Sequence, residues 1–99
     1  MLAKLRMAMR IPTGVFDDEL QDLIMAAKND LRVAGVMCND ILDESVEVED
    51  PLVRQAVITY CKLHWPGFSS QHDALKKIYD EQKAQLGMDT GHTVWEVSP

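Results

Sequence analysis

Apolar residues recur at helical spacing in four segments of this 99-residue chain. In the first segment, residues 2–9, one face carries Leu2, Leu5 and Met9. Pro12 and Gly14 follow, and both residues interrupt helices. The pattern predicts a short amphipathic helix at the start of the chain.

The second segment, residues 16–34, has the most regular pattern. Its apolar positions form one stripe, which consists of Phe16, Leu20, Leu23, Ile24, Ala27, Leu31 and Ala34. Asp17, Asp18 and Glu19 lie in its first turn, where negative charge interacts favourably with the helix dipole. Thr13 is a plausible N-cap, and Gly35 suits the C′ position just beyond the helix.

The third segment, residues 50–65, is apolar around almost its whole circumference. Asp50 is a good N-cap, and Pro51 suits the first helical position. The polar residues form only a narrow strip, made of Gln55, Thr59 and Lys62. This pattern is typical of a buried central helix, or of one shared between the core and a subunit interface. Pro66 and Gly67 end it.

The fourth segment, residues 71–86, has a narrow apolar stripe. The stripe consists of Leu75, Ile78, Tyr79, Gln82 and Leu86. Spacing predicts two intrahelical ion pairs, Asp73–Lys77 and Asp80–Lys83, and Gly87 is the expected C-cap.

Two segments fall outside these helices. Residues 36–50 form an acidic connection in which residues 45–49 alternate like a short strand, although a solvated loop is equally compatible with them. Residues 88–99 read as an extended tail. The predicted fold class is therefore all-α: a compact bundle of about four helices in a domain of residues 1–87, with an acidic loop between helices 2 and 3 and an extended C-terminal tail.

Charge is unevenly distributed along the chain, whose net charge is −6. Residues 1–10 carry three cations and no acid, whereas residues 36–50 carry six acids and no base. The basic arm and the acidic loop are complementary, within one chain or between neighbouring copies. Together with the apolar tail they supply the predicted protein-interface residues: Lys4, Arg6, Arg10, Glu44, Glu47, Glu49, Val94, Trp95 and Val97.

The sequence predicts no catalytic, cofactor-binding or metal-binding residues. Cys61 and His64 are only three positions apart, but they point about 300° apart around a helix. With His72 they are too few and too scattered for a zinc site. Cys38 and Cys61 fit free thiols in a reducing compartment better than a disulfide framework. No P-loop or glycine fingerprint is present.

No apolar run approaches the roughly 20 residues that a membrane span needs. The stretch MLAKLRMAMR also lacks the continuous apolar core of a signal peptide. These features favour a cytoplasmic protein that does not contact membranes.

Three motifs together resemble a known family. They are DDEL-x-x-LI-x-AAK from Asp17, DPLV-x-QA-x-x-x-Y from Asp50, and L-x-x-x-YDEQKAQL from Leu75. In this order, and with these breakers, they are similar to head–tail connector proteins of long-tailed bacteriophages, also called DNA-packaging or head-completion adaptors. The resemblance covers residues 2–86, and its motifs are packing and capping patterns.

This resemblance implies a structural protein with no enzymatic activity and no cofactor. It implies a ring of about a dozen copies below the portal vertex that extends the DNA channel and docks the next neck or tail-completion protein. The implied partners are other copies of the chain, the portal protein and that downstream component, while DNA passes without sequence-specific binding. The implied location is the virion neck at the head–tail junction, reached from the host cytoplasm during assembly.

Two other functions are alternatives to the connector. One is a small helical DNA-binding regulator, which would need helices 2 and 3 to form a helix-turn-helix. The connection between them is about fifteen residues, against the usual 3–4, and the net charge is negative. The other is a small enzyme acting through Cys61 and His64.

Overall fold

The computed structural model describes residues 1–12, 14–36, 41 and 47–88. Within these ranges the chain forms four α-helices: α1 (Leu2–Met9), α2 (Asp17–Val33), α3 (Pro51–Leu63) and α4 (His72–Met88). A 3-10 helix (Pro66–Gln71) joins α3 to α4. The described residues contain no strand, so the all-α prediction is confirmed. None of the described helices is long and apolar enough to cross a membrane.

Helix α3 is the centre of the bundle, as its pattern predicts. It packs against α1, α2, α4 and the 3-10 helix. Its buried residues come from most of its circumference: Val53, Ala56, Val57, Ile58, Thr59 and Cys61. Thr59 corrects the predicted polar strip, because it is only 7% exposed. Its hydroxyl donates to the Gln55 carbonyl oxygen at 2.9 Å, so burial leaves this polar group satisfied.

The connection between α2 and α3 also contributes to the core. Val36, Ile41 and Val48 are all buried. The solvated-loop alternative for residues 45–49 is therefore wrong at Val48, which turns inward between the exposed residues Glu47 and Glu49. Residues 47–49 are irregular rather than a strand, and Ser45 and Val46 lie outside the described residues.

Helix α2 ends as predicted and begins differently. Gly35 has φ 99°, its N–H bonds the Arg32 carbonyl at 3.0 Å, and the Val36 N–H bonds the Leu31 carbonyl at 3.0 Å. This is a complete Schellman motif. At the other end the N-cap position is Phe16 with φ 61°, so the predicted N-cap was misplaced. Thr13 itself lies outside the described residues.

Helix α4 departs from the sequence pattern at three places. It continues through Gly87 to Met88, so the predicted cap at Gly87 is wrong. Ile78 is 45% exposed, because the buried side of α4 is narrower than the apolar stripe. Asp80 pairs with Lys76 at 3.0 Å, whereas Lys83 reaches across to α2. Of the predicted tail, residues 88–99, Met88 belongs to α4 and residues 89–99 lie outside the described residues.

The start of α3 shows how one side chain sets a helix boundary. Asp50 Oδ1 accepts hydrogen bonds from the Leu52 N–H at 2.9 Å and the Val53 N–H at 3.3 Å. Pro51 follows at the first helical position, where no N–H is needed. The predicted N-cap is confirmed.

Replacing this cap should weaken the central helix. We expect Asp50→Ala to lower the free energy of unfolding by about 0.5–2 kcal/mol, because two N–H groups lose their acceptor. Urea denaturation followed by circular dichroism measures the change. Asp50→Asn is the matched control, since its side-chain oxygen still caps the helix, and an equal loss in both variants would contradict the capping role.

Candidate protein interface

An open groove of about 730 Å³ lies between the first half of α2 and the end of α3. We call it the α2–α3 groove. Its apolar lining comes from Phe16, Leu23, Ala26, Trp65 and Pro66, and its remaining lining residues are Glu19, Asp22 and His64. Apolar surface open to solvent and bordered by charged groups is typical of a protein contact surface.

Two aromatic rings form one wall of the α2–α3 groove. The Phe16 and Trp65 rings meet edge to face, with centroids 5.5 Å apart and planes at 76°. Phe16 is 52% exposed, which corrects its predicted place in the buried stripe of α2. The helix begins one residue later, so Phe16 does not follow the helical periodicity. Trp65 likewise lies in extended backbone beyond α3.

The acidic side of the groove is supplied by α2. Glu19 and Asp22 are exposed and three residues apart, and therefore lie on neighbouring positions of one helix surface. No cation of the described residues forms a salt bridge with either carboxylate. The groove is thus suited to a segment that combines an apolar side chain with positive charge.

The predicted basic arm forms α1, and its three cations have different surroundings. Arg6 Nη1 pairs with Asp17 Oδ1 at 2.9 Å, in a partly buried contact that ties α1 to α2. Lys4 and Arg10 are exposed. Between them Met7 is 79% exposed, the largest value among the bulky apolar side chains of the described residues. We call Lys4, Met7 and Arg10 the α1 outer face.

The acidic loop meets the basic arm at one described point. The amino group of Met1 forms a salt bridge with Glu47 Oε1 within the same chain. The backbone carbonyl of Glu49 accepts from Arg54 Nη2 at 3.4 Å. The other predicted interface residues, Glu44, Val94, Trp95 and Val97, lie outside the described residues.

A polar cluster that the sequence pattern did not indicate joins three helices. The Tyr79 hydroxyl of α4 donates to Asp30 Oδ2 of α2 at 2.5 Å, and Lys83 Nζ lies 3.4 Å from the same oxygen. The Tyr60 ring of α3 packs edge to face on Tyr79, with centroids 5.4 Å apart. Burial, followed by the bond to Asp30, raises the pKa of Tyr79. The cluster satisfies a buried hydroxyl and fixes α4 against α2.

The one candidate pair for nucleophilic catalysis is separated by the fold. Cys61 points into the core, whereas His64 is exposed and packs on the Tyr60 ring with centroids 4.3 Å apart. Burial raises the pKa of the Cys61 thiol to about 12, so the reactive thiolate is scarce at neutral pH. Among the described residues no three His, Cys, Asp or Glu side chains are grouped to hold a metal ion.

Burial of Cys61 leads to a direct chemical expectation. At pH 7 we expect a thiol-alkylating reagent to modify this residue only as fast as the domain unfolds, since both access and thiolate content are low. Peptide mass spectrometry reads Cys61 separately from Cys38. Alkylation of the unfolded chain in urea is the control, because it gives the reaction rate of the Cys61 thiol when that thiol is exposed. Native modification of Cys61 at the rate seen in urea would contradict the burial and revive the thiolate hypothesis.

Comparison with known proteins identifies one family. A family model described as phage connector protein matches residues 1–93 of the chain. No curated protein and no solved structure matches the chain. The match spans all four described helices, both walls of the α2–α3 groove and the α1 outer face.

Proposed function

Because this chain belongs to the phage connector protein family, we propose that it assembles into a ring of about a dozen copies beneath the portal vertex. Connector proteins are structural components of the virion that contact other head and tail proteins. In this proposal the ring extends the DNA channel and presents a docking surface for the next neck or tail-completion protein.

The observation that carries the proposal is the family match over residues 1–93, which includes every element of the bundle. The surface chemistry is compatible with it. Two exposed regions of opposite character, the α2–α3 groove and the α1 outer face, leave apolar side chains uncovered in a single copy. A 99-residue domain is also small enough that contacts between copies add useful stability.

The net charge supports a channel through which DNA slides. With a charge of −6 the chain repels the phosphate backbone rather than binding it tightly. In this proposal the portal protein contacts one end of the ring, and the C-terminal segment that contains Val94, Trp95 and Val97 reaches a neighbouring copy or the portal. Glu44 belongs to the same proposed set of contacts.

The DNA-binding regulator is disfavoured by the position of α3. A recognition helix must expose one face to a DNA groove, but Val53, Val57 and Cys61 of α3 are buried in the core of the bundle. A filter-binding titration with duplex DNA between 50 and 200 mM salt separates the two functions, since counterion release gives a regulator steeply salt-dependent affinity. A connector of this charge should show only weak binding.

Assembly is the direct test of the connector proposal. The purified chain is measured by native mass spectrometry across a concentration series, alone and with purified portal protein. We expect ring-sized particles in at least one of these conditions, and electron microscopy of those particles gives the copy number. A chain that remains monomeric at every concentration and does not join the portal would overturn the proposal.

A further inference from the structure

We propose that the α1 outer face of one copy docks into the α2–α3 groove of the next copy, and that this is the repeating contact of the assembly. The inference rests on the proposed ring and names the surfaces that build it. The two surfaces are at different places on the molecule, so the contact is heterologous, as a ring requires.

The geometry of α1 separates a core side from a free side. Leu5 and Met9 are buried, and Met7 lies about 160° from each of them around the helix axis. Met7 therefore projects directly away from the core. Lys4 precedes it by one turn of α1, Arg10 is the C-cap that follows the helix, and both cations are exposed. A single apolar side chain between two cations is the pattern that this face offers to a partner.

The α2–α3 groove has the complementary chemistry. The flexible thioether of a methionine fills irregular apolar gaps and packs favourably against aromatic rings. Phe16 and Trp65 supply such rings at the wall of the groove. Beside these rings, Glu19 and Asp22 supply negative charge, opposite in sign to Lys4 and Arg10. Opposite charges attract the two copies and also set the orientation in which they bind.

Helix α1 and the α2–α3 groove lie on opposite sides of α2. Asp17 faces α1, because it pairs with Arg6, whereas Glu19 lines the groove. Two residues along a helix correspond to 200°, so these side chains point about 160° apart. A copy can therefore receive one neighbour in its groove while its own α1 outer face enters another. Repetition of such a head-to-tail contact gives a closed ring if the rotation closes.

The size of the contact predicts how assembly behaves. Helix α1 has eight residues and is about 12 Å long, so it covers much less than the roughly 800 Å² per partner of a stable interface. Each contact alone is weak. The ring gains stability because closure makes the last contact intramolecular, or because a template holds the copies together.

The first experiment uses two substitutions with matched exposure. Met7 and Val33 are 79% and 78% exposed, but Val33 lies on neither surface. We expect Met7→Glu to raise the concentration needed for assembly by about tenfold or more, and Val33→Glu to leave it near the wild-type value. Circular dichroism and thermal unfolding confirm that both variants fold. Equal assembly by Met7→Glu and wild type would overturn the proposed contact.

The second experiment reverses the charges on both surfaces. Lys4→Glu with Arg10→Glu, or Glu19→Lys with Asp22→Lys, should each weaken assembly, because like charges then face each other. The chain that carries all four substitutions should regain assembly, since attraction returns at every contact with opposite polarity. If the fourfold variant does not assemble at lower concentration than both double variants, the proposed contact is wrong.

The outcomes separate this inference from the ring itself. Wild-type rings that also form with Met7→Glu and with either charge-reversed surface would keep the connector function and overturn only the proposed contact. Absence of wild-type assembly, with and without portal protein, would overturn both.

Discussion

Leu31→Ala is expected to lower the free energy of unfolding by about 2–5 kcal/mol, a large share of the stability of a domain this size. Leu31 is fully buried in the last turn of α2. Its carbonyl oxygen accepts the Val36 N–H that closes the Schellman motif, and Val36 is also fully buried in the core. Truncation therefore opens a cavity at the place where the chain leaves the helix, and the surrounding backbone is already constrained.

The matched control for this substitution is Val33→Ala, two residues further along the same helix. Val33 is largely exposed, so its truncation removes little buried surface and should change stability by less than about 0.5 kcal/mol. Urea denaturation at pH 7 measures both variants. Similar losses at the two positions would mean that the core does not extend to the end of α2.

Alkaline pH should begin to destabilise the domain at about pH 9, which is below the ordinary lysine pKa of about 10.4. The pKa of Cys61 rises from 9.0 to about 12 through burial, and burial with the bond to Asp30 raises the pKa of Tyr79 above its ordinary 10.0. Between the unfolded and folded values, the folded chain keeps protons that the unfolded chain has released. The folded state binds more protons, so stability falls as pH rises.

The expected pH window follows from these shifts. The contribution of both groups is fully present below about pH 9. Cys61 then removes up to about 1.4 kcal/mol per pH unit above about pH 9, and Tyr79 does the same above about pH 10. The combined loss is therefore at most roughly 4 kcal/mol at pH 11. Urea denaturation at half-unit steps between pH 8 and 11 measures the slope of the unfolding free energy against pH.

Two substitutions assign this slope to its sources. Cys61→Ala should make the slope shallower from about pH 9, and Tyr79→Phe from about pH 10, whatever their effects at neutral pH. The slopes, not the absolute stabilities, are compared, because each substitution also changes packing. Unchanged slopes in both variants would show that neither group is protonated differently in the folded and unfolded chains.

The helices and most of their ends were predictable from the sequence alone. These properties depend on residues that are close in the chain: an Asp before Pro51 can cap only α3, and Gly35 after a periodic segment can adopt the positive φ that ends α2. The central position of α3 could also be predicted from the sequence, because a helix that is apolar on most sides must be covered by other elements on most sides.

The local sequence pattern did not predict the surroundings of residues whose partners are distant in the chain. Lys83 pairs with Asp30 of α2 instead of its helical neighbour Asp80, since the packing of α4 brings Asp30 within reach. Helical periodicity assigned Phe16 to the core, but the backbone turns at that residue and exposes its ring. Gly87 stayed inside α4 although glycine commonly ends a helix.

Part of the candidate interface was predictable from the sequence, and part of it was not. The sequence alone identified Lys4, Arg6 and Arg10 as a basic arm, because charge is a property of composition. The packing of the helices was needed to show that Arg6 pairs with Asp17 while Met7 is left exposed between the other two cations. The α2–α3 groove could not be predicted from the sequence. One of its walls is formed by Phe16 and Trp65, which are 49 positions apart in the chain. A surface formed by such distant residues exists only after the helices have packed.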